Sequence, residues 1–113
     1  MAASLNLTTF CGEAFALTIT LEGEGTIAGW TFQFTMKKRP RDEVEIVEKT
    51  SGSGITITDA ANRVVELVLD STDTLDVTPG QYVYDFWRVD PGEEAPALGG
   101  TWALKSSVTR PGD

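Results

Sequence analysis

The chain has 113 residues, a formal net charge of −8, 41% hydrophobic residues, one cysteine and no histidine. Without histidine there is no imidazole base, no histidine metal ligand and no pH switch near neutrality. A lone thiol, Cys11, supports neither an internal disulfide nor a cysteine zinc site, so the fold cannot depend on oxidation.

The length accommodates one hydrophobic core, and residues 1–113 are expected to form a single domain. The acidic balance disfavours nucleic acid as a partner, because duplex binding relies on Lys and Arg to neutralise phosphates. The start, Met1 to Thr9, lacks the basic residues and continuous apolar run of a secretory signal. No stretch approaches the roughly 20 apolar residues that cross a bilayer. These features predict synthesis and folding in a cytoplasm and no membrane partner.

In chain order, a short strand is predicted near Leu5 to Phe10. Phe15, Leu17, Ile19 and Leu21 then alternate with Ala16, Thr18 and Thr20, the period-two signal of a half-buried strand. Glu22-Gly23-Glu24-Gly25 has the glycines that chain reversal favours. Beyond it Trp30, Phe32, Phe34 and Met36 alternate with Thr31, Gln33 and Thr35, and the two runs are predicted to be adjacent antiparallel strands. Strands follow at Val44 to Glu48 and Gly54 to Thr58, separated by the Thr50-Ser51-Gly52-Ser53-Gly54 loop. Asp59-Ala60-Ala61-Asn62 turns the chain from Ile55 and Ile57 into a strand at Arg63 to Leu69, which predicts a hairpin. The window Asp70 to Gly80 breaks the alternation and reads as one helical turn, started by a Ser, Thr or Asp cap and ended before Pro79-Gly80. Two last strands are predicted at Gln81 to Val89 and Leu98 to Lys105.

Seven or eight short strands, turn signals every 8 to 12 residues or so and no long helix predict an all-β fold. The architecture expected is an immunoglobulin-like antiparallel β-sandwich, with a small barrel as the second choice. In such sandwiches a tyrosine near the start of the sixth main strand bonds back to the preceding corner. Tyr82, just after Pro79-Gly80, takes that place.

No catalytic, cofactor-binding or metal site emerges. Glu22 with Glu24, and Glu93 with Glu94, fall in turns where solvated charge is the default. Asp70, Asp73 and Asp76 recur every third residue but lack the alternate ligands and central glycine of a calcium loop, so capping is their expected role. Cys11 has no histidine to activate it and is expected to be inert. Lys37-Lys38-Arg39-Pro40-Arg41 is the one basic cluster and lacks interleaved aromatics, as a strand-end loop would. Trp30 belongs to the apolar face of its strand. Trp87 shares a face with Val83, Asp85 and Val89, opposite Tyr82, Tyr84 and Phe86, and is the best single candidate for a subunit contact.

Several segments carry a resemblance. They are Ile55-Thr56-Ile57-Thr58-Asp59-Ala60-Ala61-Asn62, Val65 to Leu69, Asp73-Thr74-Leu75, Pro79-Gly80-Gln81-Tyr82-Val83-Tyr84-Asp85, Gly100-Thr101-Trp102 and Val108-Thr109-Arg110. In order and spacing, the stretch from Gly54 to Arg110 resembles small bacteriophage proteins related to the N-terminal domain of phage baseplate upper proteins. Trp87 and the acidic tip Arg88-Val89-Asp90-Pro91-Gly92-Glu93-Glu94 depart from that pattern and mark a partner surface particular to this chain. The resemblance implies a non-enzymatic virion protein of tail, baseplate or head, in contact with other virion proteins and assembled as a homo-oligomer. If copies form a ring, the loop at Lys37, Lys38 and Arg39 is expected to meet Glu93 and Glu94 of the next copy. A carbohydrate-binding sandwich with exposed aromatics is the alternative from another class, and a small bacterial domain unrelated to phage is a third.

Overall fold

Alternating apolar and polar side chains produce nine strands in the computed structural model, which describes residues 3–39, 41, 45–106 and 108. In chain order they are β1 (Ala3–Ser4), β2 (Leu7–Phe10), β3 (Phe15–Thr20), β4 (Phe32–Lys37), β5 (Val47–Ser51), β6 (Gly54–Asp59), β7 (Val64–Leu69), β8 (Gly80–Arg88) and β9 (Ala95–Lys105). A single helical turn, α1 (Ser71–Thr74), separates β7 from β8. Val44, the expected start of the fifth strand, lies outside the described residues.

Hydrogen-bonded neighbours follow the order β1-β9-β8-β4-β5-β6-β7-β3, with β2 also beside β9. The path doubles over where β5 meets β6, since their ladder consists only of Thr50 with Gly54 and Ser51 with Ile55. One layer is then β6-β7-β3, and the other is β5-β4-β8-β9 with β1 and β2 on its edge. The rings of Phe15 in β3 and Trp102 in β9 meet edge-on at 5.4 Å, so opposite ends of the path face each other across the core. Two layers with this strand order, joined by crossing connections, form the expected immunoglobulin-like sandwich. It is not purely antiparallel, because β1 and β2 both run parallel to β9.

The core is the inward set of each strand. Phe32, Phe34 and Met36 of β4, Tyr82, Tyr84 and Phe86 of β8, and Leu98, Trp102 and Leu104 of β9 face Ile19, Ile55, Val65, Leu67 and Leu69. Phe32 and Phe86 stack at 5.2 Å, and Trp102 lies edge-on to Tyr84 at 5.4 Å and to Phe34 at 5.7 Å. The indole Nε1–H of Trp102 donates to the buried Thr9 hydroxyl at 2.9 Å, which satisfies both polar groups inside the core.

One expected pairing is overturned. β3 and β4 are not neighbours: β3 pairs over its whole length with β7, while β4 lies between β5 and β8. The physical cause is the loop between them. Arg63, in the left-handed region at φ 62°, donates from its guanidinium to the carbonyls of Leu21, Glu22, Glu24 and Gly25. The Gly-rich stretch is thereby held as a wide bend, and the chain through Ile27 crosses to the other layer. The hairpin of β6 and β7 forms as predicted, with a bulge between Ile57 and Asp59.

The helical turn also forms, and Asp70 and Asp73 cap it. The Asp73 carboxylate accepts from the Asp70 N–H at 2.7 Å and pairs with Lys49 Nζ at 2.9 Å. Buried Thr74 accepts from the Gly12 N–H at 2.9 Å, which ties this corner to the end of β2. The Tyr82 hydroxyl donates to the Thr78 carbonyl at 2.5 Å, four residues back, and forms the expected corner. Tyr82→Phe should cost about 1–2 kcal/mol in urea unfolding, the scale of one buried hydrogen bond, with no change in the strand content seen by circular dichroism.

Candidate interaction surfaces

The strand register places the predicted contact residues. In the β4–β8 pair Lys37 lies opposite Val83 and Phe32 opposite Arg88. Lys37, Lys38 and Arg39 therefore leave one end of this layer, and the tip with Asp90, Glu93 and Glu94 leaves the other. At about 3.4 Å per residue the two ends are roughly 17 Å apart along β4. Within one copy the basic loop and the acidic tip cannot meet.

At the basic end, Lys38 Nζ lies over the Tyr82 ring, 4.8 Å from its centroid. Arg41 is exposed, and Pro40 lies outside the described residues. At the acidic end, the Arg88 Nε–H donates to Asp90 at 2.7 Å and its guanidinium approaches Glu93 at 3.8 Å. Asp90 also accepts from the N–H and the hydroxyl of Thr31 at 3.1 and 2.9 Å. The Arg88 side chain and the Thr31 N–H together hold the Asp90 carboxyl below the usual carboxylate range. The tip is thus anchored on Thr31, just before β4, and on Arg88 at the end of β8, and Glu94 and most of Glu93 face solvent.

Between the two ends, Trp87 is 36% exposed on the outward face of β8, beside half-buried Val83 and exposed Asp85. Gln33 and Pro96 flank it from β4 and β9. A register shift between Phe86 and Trp87 places Pro96, which has no N–H to donate, at a bulge. β8 is hydrogen-bonded on both sides, so this tryptophan is presented from a fixed backbone.

Trp30 sits before β4 and not in it, half-buried at the rim of the core. The guanidiniums of Arg88 and Arg63 lie over its ring at 3.7 and 5.0 Å from the centroid. Cys11 is buried, and its Sγ–H donates to the Val77 carbonyl at 3.4 Å. Glu22 and Glu24 are exposed on the bend that Arg63 holds. Among the described residues, no three Cys, Asp or Glu side chains converge as metal ligands.

One further feature carries no signal in the sequence, an open groove of about 920 Å³ between β3 and the first residues of β9. Leu17, Ile19, Phe32, Trp30, Pro96 and Leu98 supply its apolar wall. Neither Arg63 nor Arg88, which line its charged end, announces itself in the strand pattern.

No protein-family model matches the chain, and no curated protein matches it. Among solved structures it is similar to the extracellular domain of the voltage-gated sodium channel β4 subunit, described as a parallel homodimer with a role in cell–cell adhesion. That likeness has a TM-score of 0.41 and 12% identity and covers 96% of each chain. A second structure, from work on multimeric cell-adhesive interactions of sodium channel β subunits, has a TM-score of 0.40 and 12% identity, covering 94% of this chain and 93% of that one.

Proposed function

We propose that this domain is a non-enzymatic structural module of a phage particle, connecting or decorating other virion proteins of tail, baseplate or head and associating with its own copies. The phage setting rests on the resemblance across Gly54 to Arg110. The observation that supports a contact function is the placement of Trp87, outward on a fully paired strand, one residue from its acidic end and four from its basic end. A large aromatic held on a rigid backbone loses little conformational entropy on contact and buries much apolar area, the usual profile of an interface anchor. Opposite charge at the two ends sets a head-to-tail register between copies, with Lys37, Lys38 and Arg39 meeting Glu93 and Glu94 of the next.

Light scattering on the purified chain tests this reading. The wild type should self-associate, and Trp87→Ala should shift it toward monomer while its unfolding free energy changes by about 0.5 kcal/mol or less. Reversing Lys37, Lys38 and Arg39 to glutamate should weaken association at low salt and matter little at high salt. A strict monomer that is retained on a polysaccharide column would instead identify a carbohydrate-binding module.

A further inference from the structure

The two ends of the folded sheet are finished differently. β9 is covered on its outer side by β1 and β2, whereas among the described residues β3 has a neighbour on one side only. β3 pairs with β7 through six consecutive residues without a register shift, and its sequence, Phe-Ala-Leu-Thr-Ile-Thr, contains no charge and no proline. Exposed edge strands are ordinarily blunted by lysine, proline, a bulge or a covering segment, because they are templates for another strand. β3 has none of these devices.

The phase of its free groups follows from one bond. The Leu21 N–H donates to the Arg63 carbonyl at 2.9 Å, which continues the β3–β7 ladder by one pair. Hydrogen-bonded pairs alternate in an antiparallel ladder, so Phe15, Leu17 and Ile19 direct their backbone groups to β7. Ala16, Thr18 and Thr20 direct theirs outward. These unpaired donors and acceptors border the groove, which Leu17, Ile19, Pro96 and Leu98 line and where Leu5 is 39% exposed.

Charge decides between occupants. β3 is flanked by Glu13 on one side and by Glu22 and Glu24 on the other. The groove end beside Glu22 also carries Glu93. Its two cations are already engaged, Arg63 by four carbonyls and Arg88 by Asp90 and Glu93. A second β3 laid along this edge in either direction would bring carboxylates against carboxylates. We infer that the β3 edge and its groove receive an extended segment of a different protein by strand addition, with apolar residues alternating toward the groove and Lys or Arg at the ends of the segment. Main-chain bonds to Ala16, Thr18 and Thr20 supply affinity, and the flanking cations supply selection. This site lies on the other layer from Trp87 and does not depend on it.

The probe is a short fluorescein-labelled peptide of alternating valine and threonine with a lysine at each end, titrated with the intact chain by fluorescence anisotropy. Saturable binding is expected, weakened about tenfold or more when glutamates replace the lysines. Thr18→Pro removes an outward N–H without touching the β7 ladder and should also weaken binding about tenfold or more, with an unchanged circular dichroism spectrum. Thr18→Val, which keeps that N–H, should bind like the wild type, as should Trp87→Ala. If Thr18→Pro does not fold, Ala16→Pro removes the next outward donor and serves the same purpose. Absence of binding, equal binding of the lysine and glutamate peptides, or full binding by the folded proline variant would overturn the proposal. So would sedimentation showing that the chain dimerises and that Thr18→Pro alone abolishes the dimer.

Discussion

Trp102→Ala should lower the stability of the domain by about 3–5 kcal/mol, the range for deleting a fully buried large aromatic. Trp102 is 0% exposed and touches both layers, meeting Phe15 from β3 and Phe34 and Tyr84 from its own side. Its removal leaves a cavity that neighbours on paired strands cannot collapse into, and it strands the Thr9 hydroxyl. Domains of this size have about 5–15 kcal/mol in total, so the variant should melt at least about 10 °C lower and approach the limit of folding. Trp102→Phe keeps a ring but not the Nε1–H and should lose roughly half as much. Urea unfolding followed by circular dichroism measures both, and a loss below about 1 kcal/mol for the alanine variant would contradict this account of the core.

Much of the fold was legible because it is local. Period-two alternation located the strands within a few residues, the turn at Asp59 to Asn62 produced the β6–β7 hairpin, and Pro79-Gly80 ahead of Tyr82 foretold the corner. The outward direction of Trp87 followed from strand parity alone. What was not legible depends on partners distant in sequence. Alternation states that β3 has an inner face and does not say that β7 rather than β4 lies beside it. That choice rests on Arg63, which takes the left-handed conformation one residue after Asn62, the type that more often adopts it. The same limit hid the groove. An edge becomes free only when β1 and β2 both join β9, and nothing within Phe15 to Thr20 records where they go. Trp30 misled for a related reason: it continues the alternation of β4, yet the strand begins two residues later and the ring rests under two guanidiniums at the rim.

Gly100→Ala should be strongly destabilising, at about 2–6 kcal/mol. A Cβ on Gly100 would collide with the Leu5 carbonyl, a backbone group that no rotamer change can move aside. That carbonyl is also the acceptor for the Tyr84 hydroxyl at 2.6 Å, and the same segment is tied down by Leu5 N–H to the Gly99 carbonyl at 2.9 Å and Thr101 N–H to the Asn6 side chain at 3.1 Å. Overpacking contributes about 1–3 kcal/mol, and leaving the hydroxyl of Tyr84 without an acceptor contributes about 1–3 more. Gly99→Ala is the control, since its Cβ would stand 3.4 Å from the Tyr84 carbonyl, and it should cost about 1 kcal/mol or less. Titration in alkali separates a displaced Leu5 segment from general destabilisation. Burial pushes the Tyr84 phenol up to about 12 in the folded chain. The unfolded chain, near the ordinary value of about 10, therefore loses its proton first. The stability this contributes is complete below pH 10 or so and is lost as pH rises toward about 12. In Gly100→Ala the uncovered phenol should titrate nearer its ordinary value, and tyrosinate absorbance should rise earlier than in Gly99→Ala. Identical titrations of the two variants would show that the Leu5 segment stays in place.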